Sequence, residues 1–330
     1  MITVRTPLRV SFLGGGSDYP GVFLGDESFG SVLGTTVNLY VHLFAIPHTS
    51  LASHKYKFTY SAIEEVNDFN LFKHPVISKA FSILNWESPG LHISTMADVP
   101  AGTGLGSSSA FTVGLLQLLS SFQGQKFSPE ELARLAIRIE REMLSEPGGY
   151  QDQYHASYGG LALYNFSNSS TERLDLNKNT FKEFLSSSMI LVPNGKTRNS
   201  GKIAAKTLEG GISKPENLRQ LANLARETYL EIVKPQSDLN KLHILAEAMN
   251  HSWEIKKSLA EEISNANVDE MVEYGLSKGA LAAKLCGAGE SGFVLFLIEP
   301  TKRDIFRNEL AAFNAIDISI EEHGSRILWN

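Results

Sequence analysis

The segment PAGTGLGSSSA, from Pro100 to Ala110, carries the clearest chemical signal in this sequence. Glycines without a Cβ atom let the backbone approach a ligand closely and turn successive N–H groups inward. A helix that starts at the serines adds free N–H donors and a partial positive charge, so the segment predicts a phosphate-binding loop. The residues of this predicted loop are Pro100, Gly102, Thr103, Gly104, Leu105, Gly106, Ser107, Ser108 and Ser109.

Two common phosphate-binding patterns do not fit this loop. No lysine follows its last glycine, which excludes the Walker A pattern, and position 107 is serine where the Rossmann fingerprint needs glycine. A plain flexible turn with serine as a helix cap remains the simpler alternative.

Two further glycine-rich segments favour a nucleotide enzyme when they are taken with the first. One follows the first predicted strand and contains a carboxylate; its residues are Gly14, Gly15, Gly16, Ser17 and Asp18. The other is GAGESG, with Gly287, Gly289 and Gly292 around Glu290. Either segment alone is typical of an ordinary turn.

Glu140 stands where a carboxylate is unusual. Residues 129–144 have helical periodicity, and at about 100° per residue Glu140 falls inside the apolar face. Arg134, Arg138 and Arg141 are predicted to point the opposite way. A buried carboxylate needs a partner, so Glu140 is expected to pair with a cation, bind a metal or face a cleft.

Asp152 follows the glycine turn Pro147–Gly149 at the predicted start of a short helix. The simplest interpretation is a helix N-cap, a common role for aspartate.

The elements that position these residues form an α+β pattern. Strands are predicted at 2–13, 30–46, 55–60, 91–95, 160–166, 189–192, 292–298 and 316–320, and helices at 107–122, 129–144, 215–233, 238–264, 268–284 and from 301. Ser128, Pro129 and Glu131 form a helix start signal. A junction near 180–188 divides the chain into predicted domains 1–180 and 181–330.

Composition narrows the classes of protein. The chain has 330 residues, 42% apolar and 20% charged, with a net charge of −6, which does not favour nucleic acid or an anionic membrane as partner. A single cysteine, Cys286, rules out an intramolecular disulfide.

Two uncharged stretches, 28–54 and 99–125, are too polar for membrane spans, and the start lacks a signal peptide, so a cytoplasmic protein is expected.

Taken together, these motifs resemble those of the GHMP kinases across roughly residues 3 to 299. PAGTGLGSSSA resembles the second, phosphate-binding motif of that superfamily, RVSFLGGGSDY the first and LCGAGESGF the third. RTPLRVSFLGGGSDYP, EREMLSEPGGYQDQYHASYGG and NGKTRNSG are most similar to the kinases of D-glycero-D-manno-heptose 7-phosphate, followed by fucokinase domains.

The resemblance implies a two-lobed fold, with an N-terminal mixed α/β lobe that binds ATP and a C-terminal ferredoxin-like lobe. It implies that Asp152 is the catalytic aspartate, that Glu140 and Ser108 hold Mg²⁺, and that the glycine loop binds the triphosphate of the co-substrate ATP. Arg9 is assigned a catalytic and sugar-facing role. The implied substrate-binding residues are Arg9, Gly15, Gly16, Ser17, Asp18, Gln151 and Asp152. For the phosphate of the substrate the candidates are Arg198 and Lys196, with Lys202 as a further helper.

The activity expected from the resemblance is phosphorylation of a sugar phosphate at its anomeric hydroxyl. Alternatives are a fucokinase-like or other small-molecule kinase of the superfamily, and a nucleotide-binding homologue without turnover. Galactokinases have a Glu-His pair where this chain has Gly15 and Gly16, which disfavours galactose. Glu290 departs from the small residues usual in the third motif, and a homodimer is left open.

Overall fold

The architecture comes from a computed structural model. It describes residues 1–24, 29–48, 53–87, 89–176, 179–195, 205–206, 209, 214–260, 263–287, 289 and 291–329. The predicted substrate-phosphate residues Lys196, Arg198 and Lys202, and also Glu290, lie outside these ranges.

An eight-stranded sheet dominates the first half of the chain. Its strands are β1 (Ile2–Leu13), β2 (Gly30–Pro47), β3 (Tyr56–Thr59), β4 (Ile63–Val66), β5 (Leu91–Ala97), β6 (Leu161–Phe166), β7 (Thr171–Asp175) and β12 (Arg326–Trp329). The order is β12-β1-β2-β5-β3-β4, and β6 pairs with β2 and β7. The 18-residue β2 pairs with β1 along its length, with β6 through its first half and with β5 through its second. All pairs are antiparallel except β3 with β5.

The helices of this half are α1 (Pro20–Phe23), α2 (Pro75–Ile83), α3 (Ser107–Phe122), α4 (Pro129–Ile137), α5 (Gln151–Tyr158) and α6 (Asn179–Ser186). Helix α3 has the predicted bounds and packs its apolar side chains against β1 and β2 in the main core. The predicted start of α4 is confirmed as a capping box, in which Ser128 and Glu131 satisfy each other's backbone N–H groups.

The helix predicted for 129–144 is not one regular α-helix. It is α-helical to Ile137 and continues as a π-helix, Arg138–Met143. A π-turn contains more residues per turn than an α-turn, so the sequence period of 3.6 is wrong for this segment.

A second sheet forms in the later part of the chain. The four strands β8 (Met189–Asn194), β9 (Ala282–Leu285), β10 (Gly292–Leu297) and β11 (Ile316–Asp317) pair antiparallel in the order β11-β8-β10-β9. The helices here are α7 (Pro215–Ile232), α8 (Asp238–Lys257), α9 (Ala266–Ser277) and α10 (Arg303–Glu309). The chain then returns to the first sheet through β12.

Two predicted helices in this region were too long. The helix expected at 238–264 ends at Lys257, and the helix expected at 268–284 ends at Ser277. Residues 282–285 instead form β9, because Gly279 adopts a φ of +102° after the helix and the apolar residues then pair with β10. None of the helices in the described ranges combines the length and apolar character that a membrane crossing requires.

The α+β fold with two lobes is confirmed. The predicted division at residue 180 stays a prediction, and the segment proposed as the junction is largely helix α6.

Candidate active site

One cavity of about 640 Å³ is lined by residues from all three glycine-rich segments. The predicted site residues in its wall are Arg9, Gly15, Gly16, Asp18, Gly102, Gly104, Gly106, Ser107, Ser108, Ser109, Glu140, Gln151, Asp152 and Gly287. Residues that are far apart in sequence therefore line one cavity.

Other predicted residues support the cavity instead of lining it. Leu105 is fully buried in the main core, and the Thr103 hydroxyl donates to the Pro100 carbonyl at 3.0 Å. Ser17 is buried, and its hydroxyl contacts the carbonyl oxygens of Gly14 and Ser31. Gly289 and Gly292 pack against backbone in positions where a Cβ would lie within 2.7 Å of Ile263 and 2.5 Å of Thr103.

The glycine-rich loop that contains Gly102, Gly104 and Gly106 packs directly on the third glycine segment. A Cβ on Gly104 would lie 2.3 Å from the Cys286 carbonyl oxygen, and one on Gly287 would lie 2.4 Å from the Gly104 Cα. Both glycines also have positive φ, +79° and +82°. Glycine is therefore required at both positions by conformation and by space.

Helix α3 presents its first turn to this loop. Gly106 is the residue before the helix, with a φ of +73°, and as a glycine it has no side chain with which to cap the helix N-terminus. The first-turn N–H groups are thus available to an anionic ligand. Ser108 is exposed at the cavity, whereas Ser107 and Ser109 are buried.

Asp152 is held by an arginine and is not the N-cap of its helix, a position occupied by Tyr150. Arg9, on β1, contacts Asp152 Oδ1 through Nε at 2.8 Å and Nη2 at 2.7 Å, and its Nη1 donates to the Gly104 carbonyl at 2.6 Å. Within the described residues, Asp152 Oδ2 has no hydrogen-bond donor in contact. The second oxygen can therefore accept a proton or a hydrogen bond from a ligand hydroxyl.

Asp18 anchors the start of α5, which carries Asp152. Its fully buried carboxylate accepts the backbone N–H of Gly16 at 3.0 Å and of Gln151 at 3.0 Å, together with the Gln151 side-chain amide at 3.1 Å. Burial raises the pKa of Asp18, and the backbone donors oppose that rise. The buried Gln151 Oε1 has no partner within the described residues and lines the same side of the cavity.

Glu140 is 1% exposed, which confirms its predicted burial. Its Oε2 accepts hydrogen bonds from the Ser109 hydroxyl at 2.8 Å and from the Gln153 side-chain amide at 2.5 Å. Arg141 Nη2 lies 3.4 Å from the same oxygen, so the prediction that Arg141 points away from Glu140 was wrong. The π-helix explains this difference, because it changes the angle between neighbouring side chains.

The environment of Glu140 fits a magnesium ion that arrives with a nucleotide. Its Oε1 is buried and has no hydrogen-bond partner among the described residues. No group of three or more His, Cys, Asp or Glu able to hold a metal occurs in the described ranges. Mg²⁺ commonly uses one or two protein oxygens and completes its shell with phosphate and water, so Glu140 and the hydroxyl of Ser108 suffice.

The cavity residues that the sequence analysis did not identify include two lysines, Lys256 at the end of α8 and Lys284 on β9. They are 7% and 3% exposed. A signal for Lys284 was present, since it is the one charged residue in the apolar run GALAAKLC. Lys256 follows Met249 and Trp253 along the buried face of α8.

The chain matches two family domains. Residues 70–160 match the GHMP kinases N terminal domain and residues 215–316 the GHMP kinases C terminal domain. D-glycero-alpha-D-manno-heptose 7-phosphate kinase of Campylobacter jejuni is 28% identical over 320 residues, covering 92% of this chain and 91% of that protein. The bifunctional fucokinase/GDP-fucose pyrophosphorylase of Arabidopsis thaliana is 26% identical, covering 91% of this chain but 30% of that protein.

Solved structures show the same fold. A D-glycero-D-manno-heptose 1-phosphate kinase from Bacteroides thetaiotaomicron superposes with a TM-score of 0.78 at 24% identity, covering 100% of this chain and 99% of that one. Galactokinase of Lactococcus lactis, complexed with galactose, has a TM-score of 0.75 at 15% identity and covers 98% and 94%.

Proposed function

The chain belongs to the GHMP kinases, and from that premise we propose that it phosphorylates a heptose phosphate at its anomeric hydroxyl, using ATP. The proposed acceptor is D-glycero-D-manno-heptose 7-phosphate and the product its 1,7-bisphosphate. The observation that carries the proposal is the convergence of Asp152, Glu140 and the glycine loop on one cavity. The similarity to the Campylobacter jejuni enzyme supports the choice of acceptor.

In this proposal the glycine loop and the start of α3 hold the triphosphate of ATP. Backbone N–H groups and the helix dipole supply positive potential without a lysine in the loop. Bound Mg²⁺, held by Glu140 and Ser108, would neutralise charge on the phosphate oxygens. The Ser109 and Gln153 donors fix the Glu140 carboxylate through Oε2, which leaves Oε1 as the oxygen that would hold the ion.

Asp152 acts on the acceptor. Arg9 fixes Oδ1 and leaves Oδ2 to receive the hydroxyl hydrogen. The hydroxyl oxygen attacks the γ-phosphorus, the bond from that phosphorus to the β–γ bridging oxygen breaks, and ADP leaves with the electron pair. The proton of the hydroxyl passes to Asp152. Positioning of this kind is the main source of rate enhancement in phosphoryl transfer.

The buried polar groups beside Asp152 suit a sugar. Gln151 Oε1 and the buried Ser11 Oγ have no partner among the described residues and can hydrogen-bond ring hydroxyls, and the side chains of both residues lie near Gly15. A Cβ on Gly15 would lie 3.4 Å from Ser11 Oγ and 3.6 Å from Gln151 Nε2. Glycine therefore leaves room for the acceptor between these two side chains.

A coupled ADP-release assay over a panel of acceptors tests the proposal. The panel contains heptose 7-phosphate, heptose 1-phosphate, unphosphorylated heptose, fucose and galactose, each with and without Mg²⁺. We expect the highest kcat/KM with heptose 7-phosphate, and ³¹P NMR should place the new phosphate on the anomeric oxygen. Preference for fucose would favour the fucokinase alternative. Nucleotide binding without ADP release on any acceptor would favour the non-catalytic alternative.

A further inference from the structure

Lys256 and Lys284 are two buried ammonium groups in the cavity wall that the proposed phosphoryl transfer does not use. Lys256 Nζ donates to the Gly287 carbonyl at 2.6 Å, and Lys284 Nζ donates to the Phe12 carbonyl at 2.9 Å. Among the described residues, no carboxylate lies within 4.0 Å of either ammonium group. Each group has therefore exchanged water for one neutral acceptor.

This arrangement is electrostatically incomplete. Burial lowers the pKa of Lys256 to about 8 and that of Lys284 to about 7. The charge of Lys256 further lowers the pKa of Lys284, and Arg9 lowers the pKa of both. At Lys256 the carboxylates of Asp18 and Asp152 raise the pKa, but burial of the ammonium group outweighs them. An anion bound in the cavity would supply the missing opposite charge.

The contact of Lys284 with Phe12, and the charges of Asp18 and Asp152 that act on Lys256, place that anion at the acceptor side. Phe12, which accepts from Lys284, lies on β1 just before the loop Gly14–Asp18. Gly287, which accepts from Lys256, packs on Gly104, so Lys256 lies between the glycine-rich loop and the carboxylates of Asp18 and Asp152. Within the described residues neither ammonium contacts the phosphate-binding loop or the first turn of α3, which serve the triphosphate.

We propose that Lys256 and Lys284 bind the phosphate group that the acceptor already carries and that is not transferred. This inference rests on the proposed function and defines the acceptor as a phosphorylated sugar. An ammonium has three N–H donors, so each lysine can keep its carbonyl contact and still donate to phosphate oxygens. The two lysines would then determine specificity for a phosphorylated acceptor over the free sugar.

Substitution of each lysine by methionine, with two acceptors compared, tests the proposal. For Lys256→Met and Lys284→Met we expect kcat/KM with heptose 7-phosphate to fall about 10- to 100-fold, the usual value of a hydrogen bond between charged groups. The KM for ATP and kcat/KM with unphosphorylated heptose should change less than about 3-fold. Calorimetry of heptose 7-phosphate and of heptose binding should show the same selective loss without turnover.

Lys241→Met is the matched control. Lys241 is on the same helix as Lys256, is 4% exposed, and pairs with Asp238 instead of lining the cavity. We expect no change in acceptor preference for this variant. Lys256→Gln keeps a donor for the Gly287 carbonyl without the charge, and it should lose the preference just as the methionine variant does.

The results separate this inference from the proposed function. Equal losses with both acceptors and a raised KM for ATP would assign the lysines to the nucleotide and overturn the inference, as would unchanged binding of heptose 7-phosphate. If the wild type phosphorylates no sugar phosphate, the proposed function itself fails. Thermal unfolding of each variant shows whether a loss of activity comes from misfolding. If a methionine variant does not fold, Lys256→Gln and calorimetry decide whether the lysines bind the acceptor phosphate.

Discussion

Lys284→Met should stabilise the protein in the absence of ligand. The pKa of Lys284 is lowered from its ordinary value of 10.5 to about 7. Each factor of ten in a protonation equilibrium is about 1.4 kcal/mol, so the folded state bears a penalty on the order of 5 kcal/mol at neutral pH. The Phe12 carbonyl loses its donor in the variant, which costs about 1–3 kcal/mol. The net gain should be roughly 2–4 kcal/mol, which corresponds to several degrees in Tm.

The pH dependence of this gain has a defined sign. The pKa of Lys284 is lower in the folded state than in the unfolded chain, so charging this lysine opposes folding. The penalty is complete below about pH 7 and disappears as the pH rises towards 10.5. The stability advantage of Lys284→Met should therefore be largest near pH 6–7 and shrink steadily up to pH 10.

Thermal and urea unfolding of the wild type and Lys284→Met between pH 6 and 10 measure this effect. Lys241→Met is the control: Lys241 lies 2.9 Å from Asp238, and this variant should lose stability because it breaks that partly buried ion pair. An advantage of Lys284→Met that is the same at pH 6 and pH 10, or a loss of stability at both, would refute the electrostatic reasoning.

Three further changes test the rest of the site. Asp152→Asn should lower kcat by about 10²–10⁴ while the Kd for ATP stays unchanged, and near-full turnover would contradict its role as base. Glu140→Gln should move the Mg²⁺ titration of activity to higher concentrations, whereas Glu142→Gln, exposed on the same π-helix, should leave the titration as in the wild type. Gly287→Ala should lower both Tm and nucleotide affinity, because its Cβ would lie 2.4 Å from the Cα of Gly104. Gly124→Ala is the control: Gly124 also has a positive φ, but a Cβ there would meet open space, so nucleotide affinity should not change.

Local sequence signals predicted the parts of the site that local structure creates. The bounds of α3 and the capping box of α4 follow from residues within a few positions of each other. The burial of Glu140 could be read from helical periodicity, even though the segment is a π-helix, because the preceding turns of α4 already set the direction of its buried face.

Features that depend on distant neighbours could not be predicted. The contact between Arg141 and Glu140 requires the π-turn, which no residue type in that segment specifies. Residues 282–285 are compatible with either a helix or a strand, and their pairing with β10 makes them a strand. A lone lysine in such a run can face solvent or a ligand, and its contact with the Phe12 carbonyl, 272 positions away in the chain, shows that Lys284 faces inward.

Arg9 links the two parts of the proposed site, the glycine-rich loop and the Asp152 carboxylate. Its guanidinium group binds the carboxylate of Asp152 and the carbonyl of Gly104 at the same time. If this loop moves when nucleotide binds, Arg9 would transmit the movement to Asp152, the carboxylate proposed to take the proton of the acceptor hydroxyl. Redesign of acceptor specificity should leave Arg9 in place, because its loss would disturb nucleotide response and acceptor alignment together.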